Sequence, residues 1–438
     1  MNAAIPTITR LPPPATSDDK HGFSLIELFF IVLMFLIATV GQDRIENYLS
    51  RQYGVPVSMM QSDLRQLIQL KASLFLCALL VLARPVRQQL YKLTQLWSRR
   101  ALIQSALIML ILYLLSSHIL PLNLGFAYQH VSIDPFNQPT NWLYRRLLNP
   151  TLAYYLHLDG MLFPIYTAGL SWLSIALVIS TLDRLLPGKI SFLEKLALAT
   201  CAFVIYQFQI PGYPDTLVLL LGLMLWQGDL SARAQRLLIV LLLLTHEALG
   251  LVVVLSLLPR LQKPVWIITI LAAYGACMAL NFGFDIEALL RKQSVLRDPT
   301  NLYPLEAFKS SQQHPERLLA ALLIAYKLAW VSIGRGAMLA WQAGQKQDVW
   351  LIVAPIALAG AQMIIASDIS RLGGMGFIGV LLSYAWFASR TSPSIRRWWA
   401  LGQLAIPSFY IASDVGMVHF PGLYGRMIVL FTGGQSLI

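Results

Sequence analysis

Charge is scarce in this sequence. Only 12% of its 438 residues are Asp, Glu, Lys or Arg, against about 25% in an ordinary soluble domain. A water-facing surface needs more than that, so a soluble globular protein and a disordered chain are excluded. Cysteine is scarce too. Cys77, Cys201 and Cys277 all lie in apolar runs, so they read as small core residues and imply no disulfide framework. The chain has no Walker loop, Rossmann glycine pattern, HExxH, CxxC pair or Gly-x-Ser-x-Gly elbow. A nucleotide, zinc or serine-hydrolase site of the soluble kind therefore has no support. No internal repeat is evident, which disfavours a secondary transporter.

Hydrophobic residues, by contrast, make up 57% of the chain, and mean hydropathy is +0.62. They come in long runs rather than in alternation, which favours spanning helices over a closed barrel. A span needs about 20 residues, and the sequence predicts an all-α, polytopic protein of roughly 11–13 spans. Residues 1–22 are polar, carry Pro12, Pro13 and Pro14, and read as a cytoplasmic tail. A single transmembrane domain then covers 23–438, with its first run at Phe23–Gly41. Further runs lie at 68–83, 101–120, 161–181, 193–210, 213–227, 264–282, 317–342, 348–367, 372–389 and 399–415. The run 235–261 is broken and is expected to form a hairpin of two short helices turning at His246 and Glu247. The piece 420–431, with Pro421 and Gly422, is expected to be re-entrant or superficial.

The net charge of +12 acquires a meaning once it is sorted by side. With the N-terminus inside, the cytoplasmic segments hold 18 Lys and Arg and six acids. The opposite side holds 13 bases and 14 acids. The surplus is the positive-inside signal and gives no nucleic-acid footprint. It implies a bacterial inner membrane protein with a cytoplasmic N-terminus. The long loops at 42–67, 121–160 and 283–316 then lie outside, and they carry the aromatics, prolines and acids. Long polar loops on a rigid scaffold are where chemistry usually sits, so the active face is expected to be periplasmic.

Several residues could carry that chemistry. Asp43 and Glu46 follow the first run, spaced so that both share one helix face. Either could take a proton from an acceptor hydroxyl, and together they could hold a divalent cation. They read equally as solvated loop acids. Arg145 and Arg146 follow Trp142 and Tyr144 in the second outer loop. They suit a phosphate or snorkel from an interfacial helix. His246 and Glu247 interrupt a leucine run, where charge is costly, so they point to a cavity facing outside. Lys327 lies deep in the 317–342 run and is a second candidate for the cavity wall, whereas Arg335 snorkels inward. Asp215 opens a span and reads as its N-cap. Asp368 and Arg371 flank the outer end of a span and would pair with each other at i,i+3, or Arg371 would reach a phosphate leaving group. The stretch 20–28 is similar to a type IV prepilin signature, but a pilin is short and has one span.

Taken together, the arrangement resembles the GT-C class of polytopic glycosyltransferases. The resemblance rests on Asp43 and Glu46 after the first span and on Tyr144-Arg145-Arg146-Leu-Leu-Asn-Pro in the second outer loop. It also rests on the broken Thr245-His246-Glu247 element and on Asp368-Ile-Ser-Arg371. It implies transfer of a sugar from a polyprenyl-phosphate donor to a glycan, lipid or protein acceptor, on the outer face and without a nucleotide. Asp43 would be the base, with Glu46 second, and no cofactor is implied beyond a divalent cation. Arg371, Arg145 and Arg146 would hold the phosphate, while His246 and Glu247 shape the donor site. The paired acids are separated here rather than adjacent, and no sizeable soluble domain follows at the C-terminus. The same residues would also suit a flippase for a lipid-linked saccharide, or an outer-leaflet polysaccharide polymerase or ligase.

Overall fold

The structure is a computed structural model. It describes residues 94–115, 124–133, 135, 146, 148–209, 212–227, 230, 232–261, 270, 308–309, 311–364, 369–408, 410–412 and 416–419. The tail 1–22, the first run 23–41, the stretch 20–28 and the loops 42–67 and 283–307 lie outside them. So do Asp43, Glu46, Arg145, Asp368, the runs 68–83 and 420–431, and all but one residue of 264–282.

Helices form almost all of the described chain. They are α1 (Arg99–Leu115), α2 (Leu124–Ile133), α3 (Leu148–Tyr155), α4 (Phe163–Leu185), α5 (Phe192–Ala199), α6 (Ala202–Gln209), α7 (Asp215–Gln227), α8 (Ala232–Thr245) and α9 (Glu247–Ser256). There follow α10 (Leu258–Leu261), α11 (Pro315–Tyr326), α12 (Ala329–Gln342), α13 (Lys346–Met363), α14 (Ile369–Gly373), α15 (Phe377–Ser389) and α16 (Pro393–Ala405). A two-stranded antiparallel ribbon, β1 (Tyr410–Ala412) and β2 (Gly416–His419), comes after them.

Two stretches among the described residues are long and apolar enough to cross a membrane, Phe163–Leu185 and Arg371–Ser389. A third arises if the bent pair α11 and α12 counts as one span. The second of these is apolar on every side and buried along nearly its whole length, as a helix at the centre of a bundle must be. It packs on α12, α13 and α4. Gly336 and Gly379 allow this. A Cβ on Gly336 would strike the Ser383 backbone, and one on Gly379 would strike the Ile352 carbonyl. Small residues at such crossings bring backbones together where no hydrophobic effect drives helices to associate. The outer helices turn apolar side chains outward instead: Ile103, Leu107 and Leu110 on α1, and Ile165 and Trp172 on α4, are exposed. In water such a surface would aggregate; against lipid it is the expected face.

Three of the apolar runs are broken. The run 235–261 folds back at His246, as its sequence leads one to expect, and α8 packs against α9. Gly250 sits under the end of α8, where a Cβ would lie 2.6 Å from the Leu242 carbonyl oxygen. The run 193–210 divides at Thr200 and Cys201 into α5 and α6. The run 317–342 bends by 78° between α11 and α12, with Lys327 at φ 53°. Side chains of α16 take up the backbone groups freed there. Gln403 accepts from the Ala329 N–H at 3.1 Å, and the Trp399 indole donates to the Leu328 carbonyl at 3.0 Å. A break at membrane depth is tolerated only when its backbone is satisfied in this way.

The run 399–415 behaves differently from a span. Its helix begins earlier, at Pro393, ends at Ala405, and gives way to the ribbon. Pro393 at the first helical position sets the start. Arg396 and Gln403 face the protein, while Ile395, Trp398 and Leu401 face outward.

Candidate functional site

A group of buried polar side chains gathers where five separate segments meet. Arg146 precedes α3, and Tyr128 comes from α2. His246 and Glu247 come from the α8–α9 turn, Tyr213 and Asp215 from the start of α7, and Arg371 from α14. The residues 146, 246, 247 and 371 were all singled out in the sequence, and the fold brings them together.

Each position has a local cause. His246 is extended (φ −160°, ψ 109°) and caps α9, its Nδ1 accepting the Leu249 N–H at 3.4 Å. A leucine run would otherwise continue as one helix. A side-chain acceptor at the break satisfies a backbone donor that the turn exposes. With Nδ1 accepting, the ring hydrogen of the neutral imidazole is on Nε2. That nitrogen is buried and has no hydrogen-bond partner. Glu247 follows in the first turn of α9, where the helix N-terminus favours an acid.

Two arginine–carboxylate pairs hold the group. Arg371 donates Nη1 to both carboxylate oxygens of Asp215, at 2.7 Å each, and its guanidinium lies 4.5 Å from the centre of the Tyr213 ring. Arg146 reaches Glu247 through Nη2 at 3.3 Å and Nε at 3.4 Å. Burial works against the charge on Arg146, and Glu247 and Tyr128 more than offset it, so its pKa stands above the ordinary value. Tyr128 packs edge-on against Tyr213, with ring centroids 5.8 Å apart. Its hydroxyl is fully buried; the Arg146 guanidinium bears on its oxygen, and its O–H meets no acceptor. Burial raises the Tyr128 phenol against the pull of Arg146 and Arg371. Arg371 also acts electrostatically on Arg146 and His246, so the two pairs form one group. Asn149 braces it, donating to the Gly212 carbonyl at 3.3 Å and accepting from Tyr166 at 3.0 Å.

One partnership differs from the sequence reading. Asp215 is the first residue of α7, yet its carboxylate serves Arg371 rather than capping the helix. Arg371 reaches across to α7; Asp368, its expected partner, lies outside the described residues. Tyr128 and Tyr213 carry no sequence signal, whereas Asn149 lies in the segment that begins at Tyr144. Lys327 is buried, as expected, but apart from this group; the ionisable side chain it acts on is Cys201. Asp43, Glu46 and Arg145 lie outside the described residues. Among the described residues, no three His, Cys, Asp or Glu side chains gather as metal ligands do.

Chemically, this is a site rich in donors. Two guanidiniums, a phenol and an imidazole N–H lie within electrostatic reach of one another, and its two carboxylates are engaged. Such a set suits an oxyanion, and arginine suits phosphate above all. Compared with known proteins, the chain matches no family model, no curated protein and no solved structure.

Proposed function

We propose that this chain is a polytopic membrane glycosyltransferase of the GT-C class. It moves a sugar from a polyprenyl-phosphate donor to a glycan, lipid or protein acceptor on the extracytoplasmic face of a bacterial inner membrane. The observation that carries this is the convergence of Arg146 and Arg371 with two buried donors that meet no acceptor, the Tyr128 O–H and His246 Nε2. A lipid phosphate supplies the acceptor oxygens those donors lack, and the apolar outward faces of the helices suit its tail.

The chemistry follows from these roles. Asp43, or Glu46 in its place, takes the proton of the acceptor hydroxyl as that oxygen attacks the anomeric carbon. The bond between the sugar and the phosphate oxygen breaks, and its electron pair stays on the phosphate. Arg146 and Arg371 stabilise the charge that develops there, and Arg145 is the next candidate. His246 and Glu247 shape the donor pocket. Asp368, three residues before Arg371 in sequence, is assigned to the same donor. Lys327, buried apart from this group, is assigned a further contact to the donor.

A second reading is a flippase for the same class of lipid-linked saccharide. It is favoured by the breaks at Thr200–Cys201 and Lys327–Leu328, because broken helices with a buried cation are the habit of transporters.

The test uses the purified chain in lipid vesicles with a polyprenyl-phosphate sugar. Wild type is expected to consume the donor, and Asp43→Asn to lose about 10²- to 10⁴-fold in turnover. Undiminished turnover in Asp43→Asn removes the base assignment. Vesicles that move the donor across the bilayer without consuming it establish the flippase instead.

A further inference from the structure

The other end of the central span holds a second buried arginine. Arg371 opens that span and Ser389 closes it, a helical rise of roughly 27 Å. Beyond Ser389 the chain turns into α16, and Arg396 packs against the start of α5. Here lies a cavity of about 510 Å³, lined by Gly188, Lys189, Ser191, Glu194, Arg396 and Arg397 among others.

Its acid is fully committed. Glu194 takes the Ser191 N–H at 2.8 Å and the Ser191 hydroxyl at 2.6 Å, closing a capping box at the start of α5. It also takes the Tyr384 hydroxyl and sits 3.4 Å from Arg396 Nη1. Its bases are not committed in the same way. Arg396 is 7% exposed, gives Nη1 to the Lys189 carbonyl at 2.8 Å, and leaves Nε buried with no hydrogen-bond partner. Lys189 and Arg397 stand exposed at the rim. The first turns of α5 and α16 both border the cavity, and Ser392 at the head of α16 makes no side-chain cap. Two helix N-termini, three bases and one spent carboxylate give a positive recess with donors unused. Beside it, α16 turns Ile395, Trp398 and Leu401 outward, at 58%, 72% and 39% exposure. An apolar ledge next to a basic recess matches a molecule with an anionic head and a hydrocarbon tail.

We propose that this recess binds the phosphate of an anionic membrane phospholipid, with Arg396 Nε, Lys189 and Arg397 as donors and the acyl chains along Ile395, Trp398 and Leu401. The site is independent of the sugar-transfer reading. It would fix the α5–α16 corner against the bilayer surface.

Native mass spectrometry of the full chain in detergent tests it, with short-chain phosphatidylglycerol and inorganic phosphate as separate probes. Wild type is expected to bind phosphatidylglycerol saturably. The double variant Lys189→Gln/Arg397→Gln, which leaves the buried Arg396–Glu194 pair intact, should bind it about tenfold more weakly. Lys309→Gln, an exposed base elsewhere, should bind as wild type does. Equal affinity in wild type and the double variant overturns the site. Equal weakening by Lys309→Gln shows that net charge alone attracts the lipid and overturns it as well. Inorganic phosphate binding as tightly as the lipid makes the recess a site for a soluble anion and overturns the lipid assignment.

Discussion

Arg371–Asp215 and Arg146–Glu247 do the same chemistry in different ways. The first pair is tight, with two contacts of 2.7 Å and side chains only 5% and 7% exposed. The second is looser, at 3.3 and 3.4 Å, with exposures of 17% and 14%. Each ties together segments far apart in the chain, 156 and 101 residues respectively. A charge inside an apolar bundle is costly unless it is paired. The tight pair therefore supports the fold as well as facing the phosphate, since losing one partner would strand the other in a medium that cannot solvate it. The loose pair can afford to exchange its partner. Glu247 lies at a helix N-terminus that supports it without the arginine, so Arg146 is free to turn towards an incoming phosphate, while Arg371 meets it without leaving Asp215.

Breaking the tight pair should give the largest effect. Asp215→Asn keeps the shape and removes the charge, and should cost about 3–5 kcal/mol of stability. Thermal unfolding in detergent measures this, and a variant as stable as wild type would erase the distinction between the pairs. Next comes Arg146→Gln. Its stability should fall by only about 1–2 kcal/mol, because Glu247 keeps the helix terminus. Donor turnover should fall by about 10²-fold or more, since a charge-stabilising donor is lost. Equal loss of stability in both variants would mean that the two pairs are equivalent supports.

The sequence betrayed both halves of the loose pair but only one half of the tight one. Arg146, His246, Glu247 and Arg371 stand out because ionisable groups in or beside apolar runs are rare. Asp215 is just as costly to bury, but an acid at the head of a helix has an ordinary local explanation, which hid its partner on α14. Tyr128 and Tyr213 were invisible for another reason. An aromatic within an apolar run leaves the pattern of hydrophobicity unchanged, and only packing tells whether its hydroxyl is satisfied. The breaks fared likewise. The turn at His246 announces itself by charge, whereas the divisions at Thr200 and Lys327 depend on Gln403, Trp399 and other partners far away in the chain. An apolar run fixes that a helix forms and leaves open where tertiary contacts interrupt it. The end of α16 at Ala405 is a case of this, because hydrophobicity continues past the point where the helix stops.

Tyr128→Phe is the smallest change and separates function from support most cleanly. The Tyr128 O–H is buried and meets no acceptor, and Arg146, which bears on its oxygen, keeps Glu247 as its partner, so the folded protein gains little from keeping the hydroxyl. A buried donor left unmade costs about 1–3 kcal/mol, and deleting it should leave stability unchanged or raise it by about 1 kcal/mol. Were the hydroxyl a structural strut, removal would lower the unfolding temperature. If it waits for a phosphate oxygen, removal should leave the unfolding temperature in place and weaken donor binding by several-fold, about the worth of one hydrogen bond. Under the ligand-site reading donor binding weakens while the unfolding temperature holds or rises, both measured on the same variant. A fall in stability with unchanged binding would return Tyr128, and with it the loose end of the group, to architecture.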